Sequence, residues 1–127
     1  MYNETVLDHF QNPRNTGDMS APDGVGSVGN PACGDVMKLF IRVADGRIVE
    51  ARHKTFGCAA AIACSSVASE KVVGRTLAEA VAISREQVGE WLDGLPERKM
   101  ACSNLAPDAI RAAVEDFRSR ADTEKNR

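Results

Sequence analysis

Four cysteines in a chain of 127 residues are the side chains most able to do chemistry here. The opening stretch, from Met1 to Asn15, has no basic leader followed by an apolar core, so the expected compartment is the cytoplasm. Thiols stay reduced there and serve metal binding or catalysis more often than disulfides. Three of the cysteines fall at junctions between expected elements. Cys33 precedes a strand, Cys58 lies where a strand gives way to a helix, and Cys102 lies where a loop gives way to the last helix. A structural cysteine usually sits inside an element as a small buried hydrophobe. Junction cysteines from distant parts of a chain can instead converge on one point while staying partly exposed. Cys58 and Cys102 are expected at helix N-termini, where the macrodipole favours an anion and so favours thiolate. Thiolate is the form that binds metal and attacks sulfur.

Asp35 follows Cys33 across Gly34, so a soft thiolate and a hard carboxylate could face one ion, or Asp35 could simply cap a turn. Cys64 is six residues after Cys58 on the same expected helix. Six residues turn a helix by roughly 600°, leaving the two about 120° apart in azimuth and about 9 Å apart along the axis. Cys64 therefore reads as a packed core thiol beside Ala60 and Val67. His9 and His53 are remote from the cysteines in sequence and read as packing residues rather than ligands. No Cys-x-x-Cys pair is present, which argues against rubredoxin and zinc-ribbon sites. Three thiolates with one carboxylate, Cys33, Cys58, Cys102 and Asp35, suit zinc or an iron–sulfur cluster with one weak ligand.

The elements that must position these residues follow from the apolar pattern. Tyr2–Gln11 reads as a short helix broken at Asn12-Pro13. Residues 16–34 are glycine-rich and read as loop with a short edge strand near Val25–Val28. Met37, Leu39, Ile41 and Val43 alternate with polar residues, which marks a half-buried strand. Asp45-Gly46 is a hairpin turn leading to a return strand, Ile48–Phe56. Ala59–Val73 shifts to a helical period and stops at Gly74. Thr76 with Glu79, and Ser84 with Gln87, form capping boxes for two further helices. A last helix is expected from about Ser103 to Arg118, with Pro107 tolerated in its first turn. Strands first and helices after read as a single α+β domain over residues 1–127, with residues 1–15 and 121–127 expected to be mobile.

Composition excludes several classes. Sixteen basic and eighteen acidic residues leave a net charge of −2, and aromatics are 5%. Nucleic-acid binders usually show a basic excess, and single-strand binders an aromatic platform. No apolar run reaches the roughly 18 residues of a membrane helix.

Three segments resemble the cysteine motifs of the IscU/NifU-type iron–sulfur cluster assembly scaffolds. They are Pro31–Leu39 around Cys33, Thr55–Ala63 around Cys58, and Cys102–Ala106 followed by Asp108-Ala109-Ile110. Leu7–Phe10 with Asn12–Asn15 is similar to that family's N-terminus, so the resemblance spans about residues 2–120. The Cys58-to-Cys102 distance is like IscU and NifU and lacks the insertion of the SufU group; IscU is the nearest subgroup.

The resemblance implies a three-stranded antiparallel sheet with helices packed on it, in an IscU/SufE-like fold. It implies that Cys33, Cys58 and Cys102 are the cluster cysteines and Asp35 the neighbouring carboxylate. It implies a scaffold rather than an enzyme, receiving sulfur from a cysteine desulfurase and electrons from a ferredoxin. It would assemble a [2Fe-2S] cluster from sulfide and Fe and pass it to apo acceptor proteins. Cys102 is the expected sulfur acceptor. Lys99 is a candidate electrostatic helper, since a cation near thiolates favours their ionised form. Two departures stand out. Ala101 occupies the position before the third cysteine where the family usually has histidine. In Leu95-Pro96-Glu97-Arg98-Lys99, charges replace an apolar pair of the segment held by a specialised Hsp70-type chaperone, which argues against that chaperone's docking. Without an imidazole at 101, the fourth ligand could be Asp35, water or a group from a second chain, so a homodimer around a shared cluster stays open. The competing reading is a small zinc-binding regulatory module using the same ligands, and the scaffold itself would hold Zn when isolated. A persulfide sulfurtransferase is a third reading, disfavoured by the lack of a nearby general base.

Overall fold

The computed structural model describes residues 2–30 and 34–125. Three strands form one antiparallel sheet in the order β1 (Gly24–Asn30), β2 (Asp35–Ala44), β3 (Arg47–Phe56). Alternation in β2 buries Met37, Leu39 and Ile41 on one face. Asp45 and Gly46 join β2 to β3 with φ of 53° and 74°. Both values are positive, as a two-residue hairpin turn matched to strand twist requires. A register shift at Arg42/Val43 precedes that turn.

The helices follow, as the pattern predicts: α1 (Glu4–Gln11) precedes the sheet, and α2 (Ala59–Val72), α3 (Leu77–Val81), α4 (Arg85–Trp91) and α5 (Leu105–Lys125) come after it. Both predicted capping boxes are present, Thr76 with Glu79 and Ser84 with Gln87. The sheet's inner face packs on α2 and α5, burying Ile48 and Ala51 against Ala63, Val67, Ile110, Ala113 and Val114. β1 lies close on α5: a Cβ added at Gly26 would meet Ala113 N at 2.5 Å and Ala112 Cβ at 2.9 Å. Glycine is required there by the approach of a helix backbone, not by backbone dihedrals.

Three boundaries differ from the sequence pattern. The short edge strand near Val25–Val28 is seven residues long, because pairing with β2 supplies what the glycine-rich stretch lacks in propensity. The last helix does not begin at Ser103. A 3₁₀ helix (Glu97–Asn104) comes first, with Lys99 N–H donating to Pro96 O and Leu105 N–H to Cys102 O. Pro107 has no N–H to give back to residue 103, so the α-helical ladder starts later. At its other end α5 continues past Arg118 to Lys125. Among the described residues, no helix is long and apolar enough to cross a membrane.

The outer edge of β3 is covered by the chain leaving α1. His53 N–H donates to Asn15 O at 2.8 Å and Gly17 N–H to His53 O at 3.0 Å, so residues 15–17 pair with the edge. Such pairing protects an edge strand from other chains.

Candidate metal centre

The site is built where β2 begins, β3 ends and the 3₁₀ helix passes α2. Asp35 opens β2, and Cys58 is the N-cap of α2, two residues after β3. Cys102 lies inside the 3₁₀ helix. One ligand atom from each of the three lies within 4.8 Å of the others. The two sulfurs are 3.6 Å apart. Asp35 Oδ2 is 3.6 Å from Cys58 Sγ and 3.5 Å from Cys102 Sγ. Asp35 Oδ1 accepts the Cys58 backbone N–H at 3.0 Å. That bond uses a donor that the start of α2 leaves free, and it aims the second carboxylate oxygen at the thiol pair.

Asp35 and Cys102 are each 2% exposed, and Cys58 is half-buried. A carboxylate so enclosed needs partners, and two thiols and one amide are among those it has. Thiols are weak donors. A divalent cation among these atoms would bind two soft sulfurs and one hard oxygen, a donor set that fits zinc or iron.

The structure thus brings together Asp35, Cys58 and Cys102 from the predicted set. Cys33 lies outside the described residues, as do Pro31 and Ala32. The expected partial exposure holds for Cys58 but not for Cys102, which is buried. Cys102 also does not start an α-helix: it is three residues upstream of α5, because Pro107 delays that helix. Lys99 is half-buried, three residues before Cys102 on the same 3₁₀ helix. Cys64 is fully buried, and burial, together with the nearby Cys58 and Asp35, pushes its thiol up to about 12. It is a core thiol, as its helical phase predicts. Neither histidine joins the group. His53 uses both ring nitrogens elsewhere, with Arg14 O at 2.9 Å and Thr55 Oγ1 at 3.0 Å, and His9 Nδ1 meets Ser66 Oγ at 2.8 Å.

Comparison with known proteins bears on the family and the fold. The family described as the NifU-like N-terminal domain matches residues 1–124. The chain belongs to that family. It is 56% identical over 117 residues to the iron-sulfur cluster assembly scaffold protein IscU 1 of Archaeoglobus fulgidus, covering 92% of this chain and 76% of that one. It is 52% identical over 123 residues to the iron-sulfur cluster assembly scaffold protein IscU of Escherichia coli, covering 94% and 95%. Both relatives are named as scaffold proteins. A crystal structure of a NifU-like N-terminal protein from Brucella abortus superposes with a TM-score of 0.75 at 22% identity, covering 93% and 94%. A putative SUF-system scaffold from Fervidobacterium islandicum superposes with a TM-score of 0.74 at 20% identity, covering 89% and 96%. These two likenesses establish the fold: three antiparallel strands with helices packed on them.

Within this NifU-like domain, Ala101 is exposed beside Cys102. Leu95 packs against the core, and Glu97 is exposed. Two features of the site carry no signal in the motif spacing. Phe56, two residues before Cys58, is 84% exposed, across the sheet from half-exposed Val36. The strand alternation places both on the outer face, a signal available from the pattern. Gly57 is the second, and only the tertiary approach of Asp35 reveals it.

Proposed function

We propose that this NifU-like domain, the whole chain acting as one unit, is a scaffold on which a [2Fe-2S] cluster is assembled and from which it is handed to acceptor proteins. The observation that carries the proposal is the meeting of Asp35, Cys58 and Cys102 within 4.8 Å from three distant segments. Cys33 completes the ligand set on the strength of its motif.

Sulfur arrives as a persulfide on a cysteine desulfurase. The Cys102 thiolate attacks the outer sulfur, the desulfurase thiolate leaves, and Cys102 carries the persulfide. Cys102 is buried in this conformation, so the 3₁₀ segment must lift for the attack. Two electrons, supplied by a ferredoxin, then reduce the outer sulfur to sulfide and return the Cys102 thiolate. Lys99 steadies the negative charge gathered there. Cys33 and Cys58 hold iron during assembly. Asp35 contributes an oxygen, a harder and weaker partner for iron in a sulfide cluster than thiolate. A scaffold must release its product, and one weak ligand eases release. The setting is the cytoplasm.

The test is anaerobic mixing with a cysteine desulfurase, cysteine, ferrous iron and a reductant, followed by visible absorption. A coloured cluster that moves to an apo-ferredoxin supports the scaffold. A colourless zinc protein indifferent to the desulfurase supports a zinc-binding regulatory module. Within the scaffold reading, Asp35→Ala slows loss of the preformed cluster to acceptor about tenfold. An unchanged cluster lifetime removes Asp35 from this role.

A further inference from the structure

We infer that Gly57 is a positioning residue whose missing side chain is what lets Asp35 seat its carboxylate between the thiols of Cys58 and Cys102. The inference rests on the ligand set proposed above. Glycine is often kept for a left-handed backbone, but Gly57 is not among the glycines with positive φ. The residue is also exposed, so solvent leaves room for a side chain on one side. What excludes one is a single neighbour. A Cβ built on Gly57 would lie 2.9 Å from Asp35 Cβ, 2.6 Å from Asp35 Cγ and closer still to Asp35 Oδ1. The three nearest heavy atoms thus all belong to Asp35.

The register explains the encounter. Val36 pairs with Phe56, so the next position of the antiparallel ladder sets Asp35 opposite Gly57, with Cβ directions toward the same face. Asp35 cannot retreat along its strand, because β2 is held on its other side by Asn30 of β1. With alanine at 57, the carboxylate must rotate away. It then gives up the Cys58 N–H at Oδ1 and withdraws Oδ2 from both sulfurs. The alternative is a shift of the 57–58 backbone, which moves Cys58 itself. Either way the oxygen donor and the thiol pair come apart.

Residue 57 therefore controls whether the hard ligand is present, without touching the metal. The experiment uses Co²⁺ alone as probe, with thiolate-to-cobalt absorption and a dissociation constant as readouts, alongside thermal melting. Four proteins are compared: the parent, Gly57→Ala, Asp35→Ala and the double variant. Gly57→Ala is expected to reproduce the spectrum of Asp35→Ala and to weaken Co²⁺ binding about tenfold. Added to Asp35→Ala, it should change neither readout, because the two substitutions remove the same ligand. Additive effects, or a parent-like spectrum for Gly57→Ala, overturn the inference while leaving the ligand set standing. A parent-like spectrum for Asp35→Ala overturns both. If Gly57→Ala alone fails to fold, recovery of folding in the double variant identifies Asp35 as the clashing partner, and no recovery refutes it.

Discussion

Two polar clusters among the described residues lie in or near the interior of this domain, and they are built from different chemistry. The first gathers His9, Arg14, Asn15, His53, Ser66 and Ser69 where the chain leaving α1 crosses α2 and β3. Arg14 N–H donates to Ser66 Oγ at 2.9 Å, and Ser69 Oγ donates to Ser66 O at 2.6 Å. Asn15 Nδ2 donates to Ser69 Oγ at 3.1 Å. With Arg14 O accepting, His53 carries its proton on Nε2, and its bare Nδ1 accepts from the Thr55 hydroxyl. The second cluster is Asp35, Cys58 and Cys102, whose mutual contacts are 3.5–3.6 Å and involve weak thiol donors. Good donors and acceptors at short range make the first a structural framework, although Arg14 Nη1 within it is buried without a hydrogen-bond partner. The second presents three electron-rich atoms to one another, and a cation would join them far better than the shared protons do.

The contrast can be broken most sharply at a ligand. Cys58→Ala should weaken Zn²⁺ binding by more than about 100-fold, since losing a donor exceeds the cost of losing its support. Its melting temperature should stay close to the parent value. Competition with a coloured chelator measures the affinity, and an unchanged value removes Cys58 from the set. His53→Gln should do the opposite. It should cost about 1–3 kcal/mol in urea unfolding, because the Arg14 carbonyl is left without its proper donor, and leave Zn²⁺ affinity unchanged.

The smallest effect is graded with pH. Burial holds both imidazoles below their ordinary value near 6.5. For His9 the Arg14 charge adds to burial, while Glu70 and Asp8 oppose it. For His53 the hydrogen bond with the Arg14 backbone opposes burial. A depressed folded value means that the unfolded chain binds the proton first. The stabilisation is therefore complete above about pH 6.5 and is lost as pH falls through the folded value. Each histidine contributes a slope of at most about 1.4 kcal/mol per pH unit in that window. Urea unfolding of His9→Gln and His53→Gln between pH 7.5 and about 5 should show flatter profiles than the parent. Equal slopes would mean that the histidines are not buried neutral.

Much of the framework was legible beforehand because its causes are local. Alternation set β2, Asp45-Gly46 set the hairpin, and side-chain caps at Thr76 and Ser84 started α3 and α4. Helical phase separated Cys64 from Cys58 without any coordinates. Pro107 does lie in the first turn of α5, as the pattern predicts, but that turn starts at Leu105 rather than Ser103, behind a 3₁₀ helix that the apolar period does not reveal. Cys102 therefore lies buried inside the 3₁₀ helix rather than at an exposed α-helix start. The full length of β1 was hidden as well, because glycines such as Gly26 disfavour a strand until α5 presses against it.

The linear order of residues determined the family, the α+β class and the identity of the cysteine and aspartate candidates, since long motifs and short-range periodicity are properties of the chain itself. Only the tertiary structure decided that Asp35 reaches both thiols and that Gly57 must stay bare. Those facts depend on distances between segments up to 67 positions apart in sequence, Asp35 and Cys102, which the packing of strand, helix and 3₁₀ turn alone sets.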